Sequence, residues 1–177
     1  MTLWLVMLVA MLAILSPMMW LRPSRRDRRL GQLREHARKA GVTVKFGKPP
    51  LHHPPAGLVS YRWLYSQDGP GPYFVLVREE YASDMLKPVA EDRKEWRWRI
   101  EPLRPFSEKV RDDLEQMLEK LPEDALVLES ERRYLTLWWG ESQSAEVFDT
   151  THTALVAMCE ALGKQGEDSA TAENRPY

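Results

Sequence analysis

Cysteine is nearly absent from this chain, which has Cys159 alone among its 177 residues. An intrachain disulfide is therefore impossible, and this composition is typical of proteins from a reducing compartment. The chain also lacks the short motifs of familiar enzyme classes, including the Gly-rich phosphate loop, G-x-S-x-G, H-E-x-x-H and the D-x-D calcium loop. We therefore predict no enzymatic activity and no cofactor.

Charge is missing from one end of the chain and unevenly spread over the remainder. Residues 1–21 contain no charged side chain. Residues 22–40, here named the basic collar, carry eight bases and two acids, whereas residues 41–177 carry 17 bases and 24 acids. The net charge of −7 on residues 41–177 argues against nucleic-acid binding, because that affinity comes mainly from neutralising phosphates.

The uncharged stretch has the length and composition of a membrane span. Leu3 to Leu21 would extend roughly 29 Å as a helix, close to the thickness of a hydrocarbon core. Trp4 and Trp20 lie near its two ends, where interfacial tryptophans are common. No basic residue precedes the apolar run and no A-x-A cleavage site follows it, so we predict an uncleaved transmembrane anchor over residues 1–22.

A group of arginines directly after the apolar run predicts its orientation. Positive residues that flank a span stay on the cytoplasmic side. We therefore expect a single-pass protein with the N-terminus outside and the C-terminal domain in the cytoplasm. The arginines predicted to contact anionic lipid headgroups are Arg22, Arg25, Arg26, Arg28 and Arg29.

The basic collar itself has the pattern of a helix over residues 23–40. Ser24 with Asp27 three residues later resembles a capping box, and Gly41 is a favourable stop. Two interpretations remain open for this helix. Its narrow apolar stripe docks on a membrane or partner, or the helix is a solvated connector that packs lightly on its own domain. The stripe consists of Leu30, Leu33, Ala37 and Ala40.

The remaining chain predicts an α+β domain over residues 41–163, in which an antiparallel sheet has helices on one face. Residues 58–79 have the pattern of an antiparallel hairpin. The polar residues 164–177 predict a disordered tail. The predicted strands are 41–47, 58–66, 73–79, 95–102 and two within 125–141, and the predicted helices are 107–121 and 144–163. The expected inward positions of the last helix are Val147, Thr151, Leu155, Met158 and Leu162.

Two sets of residues invite a chemical interpretation. His52 and His53 lie in a proline-rich loop, but no further ligand stands at a recognisable metal-site spacing, so we predict a surface loop and no metal site. Cys159 lies between inward positions of the last predicted helix, and we expect a buried thiol rather than a nucleophile.

Tryptophans on two predicted strands raise the question of a binding surface. In residues 95–102, Trp96, Trp98 and Ile100 should face the core, with the intervening arginines in solvent or against an acidic partner. Trp138 and Trp139 are adjacent and must point to opposite faces. The more apolar face should hold Trp139, so we predict that Trp138 and its neighbour Tyr134 bind a partner protein.

The stretch LRPSRRDRRLGQLREHARKAG, after a short N-terminal span, resembles the opening of the YajC family, the small accessory subunit of the bacterial preprotein translocase. The likeness covers residues 3–44. It implies a place in the bacterial inner membrane, with the N-terminus in the periplasm, and association with the translocase. The compact G-D-x-V-x-T-x-G-G segment of that family is replaced here by GVTVKFGKPP. The chain is also similar to single-span inner-membrane proteins of gammaproteobacteria, a likeness that implies no activity.

The leading hypothesis is a membrane-anchored accessory or scaffold protein whose cytosolic domain binds another protein. The alternatives are a YajC-like translocase-associated subunit, and a membrane-tethered enzyme or ligand-binding domain. An exposed indole on a flat sheet face would favour the first hypothesis, whereas an apolar pocket with convergent polar groups would favour the last.

Overall fold

The computed structural model describes residues 2–20, 24–67, 69–90 and 95–173, and the side chains of residues 3–12, 24–67, 69–90 and 95–165. Packing divides the chain into two compact units, Met1–Gln32 and Leu33–Tyr177. The helices are α1 (Thr2–Trp20), α2 (Arg25–Lys39), α3 (Glu108–Glu119) and α4 (Ala145–Glu173). The strands are β1 (Thr43–Phe46), β2 (Val59–Leu64), β3 (Phe74–Arg78), β4 (Trp96–Ile100), β5 (Ala125–Ser130) and β6 (Tyr134–Trp139).

Helix α1 has no charged residue, and its large apolar side chains from Leu3 to Leu12 are 57–81% exposed. Among the described residues, the structure contains no helix that combines the length and the apolar character needed to cross a membrane.

Helix α2 begins and ends as its sequence predicts. Ser24 donates its backbone N–H to Asp27 Oδ2 at 3.1 Å, and the Asp27 N–H returns a bond to Ser24 Oγ at 3.1 Å. At the other end Gly41 has φ +84°, with the Gly41 N–H bonded to Arg38 O and the Val42 N–H bonded to Ala37 O. This is a Schellman motif, and glycine adopts its left-handed backbone without the steric cost that a Cβ would add.

Residues from β1 to β6 form one fully antiparallel sheet of six strands in the order β1-β2-β6-β5-β3-β4. The predicted sequence of elements, β-β-β-β-α-β-β-α, is confirmed. The α+β class with an antiparallel sheet is therefore correct.

The predicted hairpin over residues 58–79 is wrong. Strands β2 and β3 do not pair, because β6 and β5 lie between them. The connection after β2 crosses the turn of the β5–β6 hairpin and is bonded to it, from the Tyr65 N–H to Arg133 O and from the Gly71 N–H to Arg132 O. Turn-forming residues indicated a reversal of direction, but the local pattern cannot specify which strand is paired next.

The main core lies between the sheet and the helices. Trp63, Leu137 and Trp139 from the sheet pack there with Leu114 of α3 and Leu155 of α4. Ser107 caps α3 as predicted by accepting a bond from the Val110 N–H at 3.3 Å. A second, smaller cluster covers the opposite face, and it consists of Val75, Val77, Leu126, Val127 and Trp138, with Leu51, Leu58 and Ile100 packed against it.

Strand β4 departs from simple alternation. Trp96 and Trp98 face the main core, but Ile100 packs in the cluster on the opposite face. The pairing shifts between Val75 and Leu76 of β3, where Ile100 and Trp98 are their respective partners. The extra residue on β4 is a β-bulge, and it reverses the direction of every side chain that follows. The prediction that all three residues share one face is therefore wrong for Ile100.

The predicted start of the domain at Gly41 is also corrected. Leu33 and Ala37 of α2 are 0% exposed and belong to the main core. The second compact unit accordingly starts at Leu33. Over this part the stripe on the collar helix is therefore not a free docking surface, because Leu33 and Ala37 are already buried in the main core.

Helix α4 differs from prediction at both ends. Val147 is 53% exposed, and Phe148 is buried in its place, stacked on Trp139 with 6.1 Å between ring centroids. Both positions suit the helical period relative to Thr151, and the larger ring fills the space beside Trp139. The helix also continues to Glu173, where the sequence predicted disorder from Lys164. No proline interrupts residues 164–173, so the segment has no strong helix breaker.

Truncation tests the corrected boundary. A protein comprising residues 24–177 should fold cooperatively, whereas residues 41–177 alone should be less stable by about 3–5 kcal/mol or more, because two core side chains and the cation paired with a buried glutamate are removed. Urea denaturation followed by tryptophan fluorescence measures the difference. Equal unfolding midpoints for the two proteins would show that α2 is not part of the core.

Candidate functional site

Polar side chains from α2, β2 and α4 contact one another and Glu141, which follows β6. We name this group of residues the polar seam. It consists of Arg34, His36, Tyr61, Trp63, Glu141, Asp149 and His152. None of these residues belongs to a site that the sequence predicts. The partners are up to 113 residues apart in the chain, so no local pattern indicates that they meet.

Glu141 is the most constrained residue of the polar seam. It is 1% exposed and has φ +62°, a backbone conformation that costs a non-glycine residue energy. Arg34 donates from Nε to Oε1 at 2.8 Å and from Nη2 to Oε2 at 2.5 Å, and the Tyr61 hydroxyl also donates to Oε1 at 2.8 Å. Both carboxylate oxygens are thus occupied by protein donors.

The surroundings of Tyr61 keep its hydroxyl protonated, so that it acts as a hydrogen-bond donor to Glu141. Burial, followed by the bond to Glu141 and the charge of that carboxylate, raises the pKa of Tyr61 far above its usual range. The phenol therefore stays protonated at physiological pH. The Arg34–Glu141–Tyr61 cluster connects α2 to β2 and to the residue that follows β6, and it has no free group for acid–base chemistry.

The two histidines of the polar seam are also engaged. His36 Nε2 lies 2.6 Å from Asp149 Oδ1 at the surface. The Trp63 indole donates to His152 Nδ1 at 3.0 Å, which places the proton of the neutral imidazole on Nε2. Burial lowers the pKa of His152, and the charge of nearby Asp149 only partly opposes this. His152 is therefore neutral near pH 7.

A groove of about 620 Å³ runs beside the polar seam, between the end of α2 and helix α4. Cys159 lines it together with Trp63 and His152. The Cys159 side chain is buried, and burial raises the pKa of its thiol to about 12, so it stays protonated and a weak nucleophile. The groove offers apolar walls with a few polar groups, which suits binding better than covalent catalysis.

Metal-binding side chains do not converge within the described residues, where no group of three or more His, Cys, Asp and Glu could hold an ion. His52 and His53 lie exposed in the loop between β1 and β2, as expected for a surface loop.

The tryptophan pair is oriented as predicted, but Trp138 is not accessible. Trp139 is 0% exposed and faces the helices, and Trp138 points to the opposite face. Trp138 is nevertheless only 4% exposed, because the loop after β1 covers it; a Cβ at Gly47 would lie 3.3 Å from its ring. Its indole donates to Glu129 at 3.3 Å. The expectation of an exposed partner anchor at Trp138 is therefore wrong.

Tyr134 is half-buried on that same face, with the guanidinium of Arg62 at 5.8 Å and that of Arg133 also at 5.8 Å from its ring centroid. Its partner-binding role stays a prediction.

The Arg97 guanidinium on β4 is already paired within the domain. Its side chain is 13% exposed, donates to Asp84 O and Leu86 O, and pairs with Glu79 at 2.6 Å.

The predicted membrane-contact arginines are placed in part. Arg22 lies outside the described residues. Arg25, Arg26, Arg28 and Arg29 occupy the first turns of α2 and are exposed. Their contact with lipid headgroups stays a prediction.

Comparison with known proteins does not assign this chain to a family. No family model, no curated protein and no solved structure matches it. Any functional conclusion must therefore come from the chain's own residues.

The burial of Trp138 changes what its substitution should do. Trp138→Ala should destabilise the domain by about 3–5 kcal/mol, as should Trp139→Ala, because each removes a large buried side chain. Tyr134→Phe is the control, with an expected change of less than about 0.5 kcal/mol, since it keeps the ring. Chemical denaturation measures all three. A Trp138→Ala protein as stable as the wild type would show that the sheet face carrying Trp138 is open to solvent.

The pKa of His152 predicts a pH dependence of stability. Because this pKa is lower in the folded state, the unfolded state takes up a proton first as pH falls below about 6.5, and stability is lost from there downward. His152→Gln keeps an acceptor for Trp63 but cannot titrate, so its free energy of unfolding should fall less between pH 7.5 and 5.5. His36→Gln is the control for the other histidine of the seam. Equal losses in wild type and His152→Gln would contradict this assignment.

Proposed function

We propose that this chain is a single-pass, membrane-anchored accessory protein whose domain binds another protein at the cytoplasmic face of the bacterial inner membrane. The observation that carries the proposal is the uncharged segment 3–21, followed at once by five arginines between Arg22 and Arg29. This arrangement is typical of a span whose C-terminal side stays in the cytoplasm.

The exposure of α1 supports a role in lipid. Nine large apolar side chains between Leu3 and Leu12 are more than half exposed. Removing each from water is worth about 1.5–3 kcal/mol, so this helix has a strong tendency to enter an apolar phase. A bilayer supplies that phase over the whole circumference of a helix.

The connection to the domain is short. Only residues 22–32 separate the apolar segment from Leu33, the first buried residue of the core in the second unit. Even fully extended, eleven residues reach roughly 40 Å. The domain would therefore work on partners at or near the membrane surface.

Binding is a better match than catalysis for the groups that the domain displays. Glu141, Tyr61 and His152 are each engaged by a neighbouring side chain, and Cys159 stays protonated. These interactions stabilise the fold and leave the groups unavailable for acid–base or nucleophilic work. No observation on the described residues favours the translocase-associated alternative specifically, and it stays a prediction.

Reporter fusions test the topology. A reporter active only in the cytoplasm, fused after Tyr177, should be active, because the arginines retain that side. Replacing the five arginines by glutamine should produce mixed orientation, and these are Arg22, Arg25, Arg26, Arg28 and Arg29.

The matched control replaces five bases that lie far from the span, and it should leave orientation unchanged, since only charges within about 15–20 residues of a span matter. These bases are Lys109, Arg111, Lys120, Arg132 and Arg133. Periplasmic location of the wild-type C-terminus would overturn the proposed topology.

A further inference from the structure

Two adjoining cavities of about 220 and 430 Å³ lie between β4 and helix α3, on the side of the domain that carries the short helical turn after β3. Both are lined by Glu95, Leu118 and Glu119, so they form one concave surface that we name the acidic groove. Six glutamates line it, namely Glu79, Glu80, Glu95, Glu115, Glu119 and Glu123.

The described lining of the acidic groove has little cationic charge. Arg78 is the one basic residue among its described lining, and its guanidinium is already engaged by Ala125 O, Pro122 O and Glu95. Arg97 pairs with Glu79 from outside the lining. Within the described part of the chain, Glu80, Glu115 and Glu123 make no ion pair. The groove is therefore a concentration of negative charge that attracts cations.

A second and independent feature of the groove is Trp96. This residue lines the smaller, 220 Å³ cavity of the groove and is 3% exposed, and its indole Nε1–H has no acceptor among the described residues. A buried donor left without an acceptor costs about 1–3 kcal/mol. A ligand that brings an acceptor oxygen into the groove would recover part of this cost.

The two features together define the ligand chemistry. The carboxylates can form ion pairs with cationic side chains, and the indole N–H can donate a hydrogen bond to a carbonyl oxygen. A polypeptide segment with lysine or arginine supplies both, whereas a bare cation supplies no acceptor. We propose that the acidic groove binds a basic segment of the partner protein. This proposal rests on the proposed function and names the binding surface and the charge of the partner.

Fluorescence anisotropy of the full-length protein in non-ionic detergent micelles tests this with two labelled peptides, GKRGKRG and the neutral GSQGSQG. The basic peptide should bind and the neutral one should not. The variant E115Q/E123Q should bind GKRGKRG at least about fivefold more weakly, because two charge contacts near the surface are worth roughly that ratio. Raising the salt concentration should weaken wild-type binding through screening.

The control variant E108Q/E131Q changes two exposed glutamates outside the groove and alters net charge equally, so it should bind within about twofold of wild type. W96F removes the indole N–H and should also weaken binding, with circular dichroism confirming that it is folded. Equal weakening by both double variants, or equal binding of both peptides, would overturn the proposal. So would the appearance of a dimer that E115Q/E123Q dissociates while GKRGKRG does not bind, because the occupant would then be a second copy.

Crosslinking in native membranes separates this proposal from the proposed function. Capture of a partner by wild type that is lost in E115Q/E123Q and kept in E108Q/E131Q supports both. Capture that all variants retain would overturn the acidic groove as the binding surface and leave the proposed function standing. No capture by any variant, with GKRGKRG still bound in micelles, would count against the proposed function alone.

Discussion

The bidentate ion pair between Arg34 and Glu141 is the interaction on which the position of α2 in the domain depends. A buried charge that loses its ion-pair partner is strongly destabilising, so displacement of Arg34 would leave the Glu141 carboxylate in the core without its cation. Leu33 and Ala37 on the same helix add apolar burial to this electrostatic constraint. Arg34 therefore fixes the orientation of α2, and Leu33 and Ala37 on the same helix supply packing energy.

This constraint has a consequence for the rest of the polar seam. With α2 held by Arg34, His36 reaches Asp149 of α4, while Tyr61 and Trp63 of β2 reach Glu141 and His152. The rings of Tyr61, Trp63, Trp139 and Phe148 fill the space beneath these polar contacts. The polar and aromatic layers together connect α2, β2, β6 and α4, and each polar side chain of the seam has a partner within it. The acidic groove beside α3 differs from the seam, because its Glu80, Glu115 and Glu123 make no ion pair within the described residues.

The second face of the sheet is also covered, and this makes Trp138 inaccessible to a partner. An antiparallel sheet with helices on one side can leave the other side in water. Here the loop after β1 packs Leu51 and Leu58 over Trp138, so the face that alternation assigned to solvent is closed by a segment without regular structure. Four prolines in residues 48–57 exclude regular secondary structure there, and nothing in their spacing shows where the loop packs.

The sequence by itself determined the element types and most of their bounds, the caps at Ser24, Gly41 and Ser107, and the opposite directions of Trp138 and Trp139. These follow from interactions within a few residues: hydrophobic period, side-chain capping and backbone alternation. Only the tertiary structure decided that β5 and β6 separate β2 from β3, that α2 belongs to the core, that Trp138 is covered, and that Arg34 meets Glu141. Each of these depends on contacts between segments far apart in the chain, where the energy comes from mutual burial and charge pairing that no local pattern encodes.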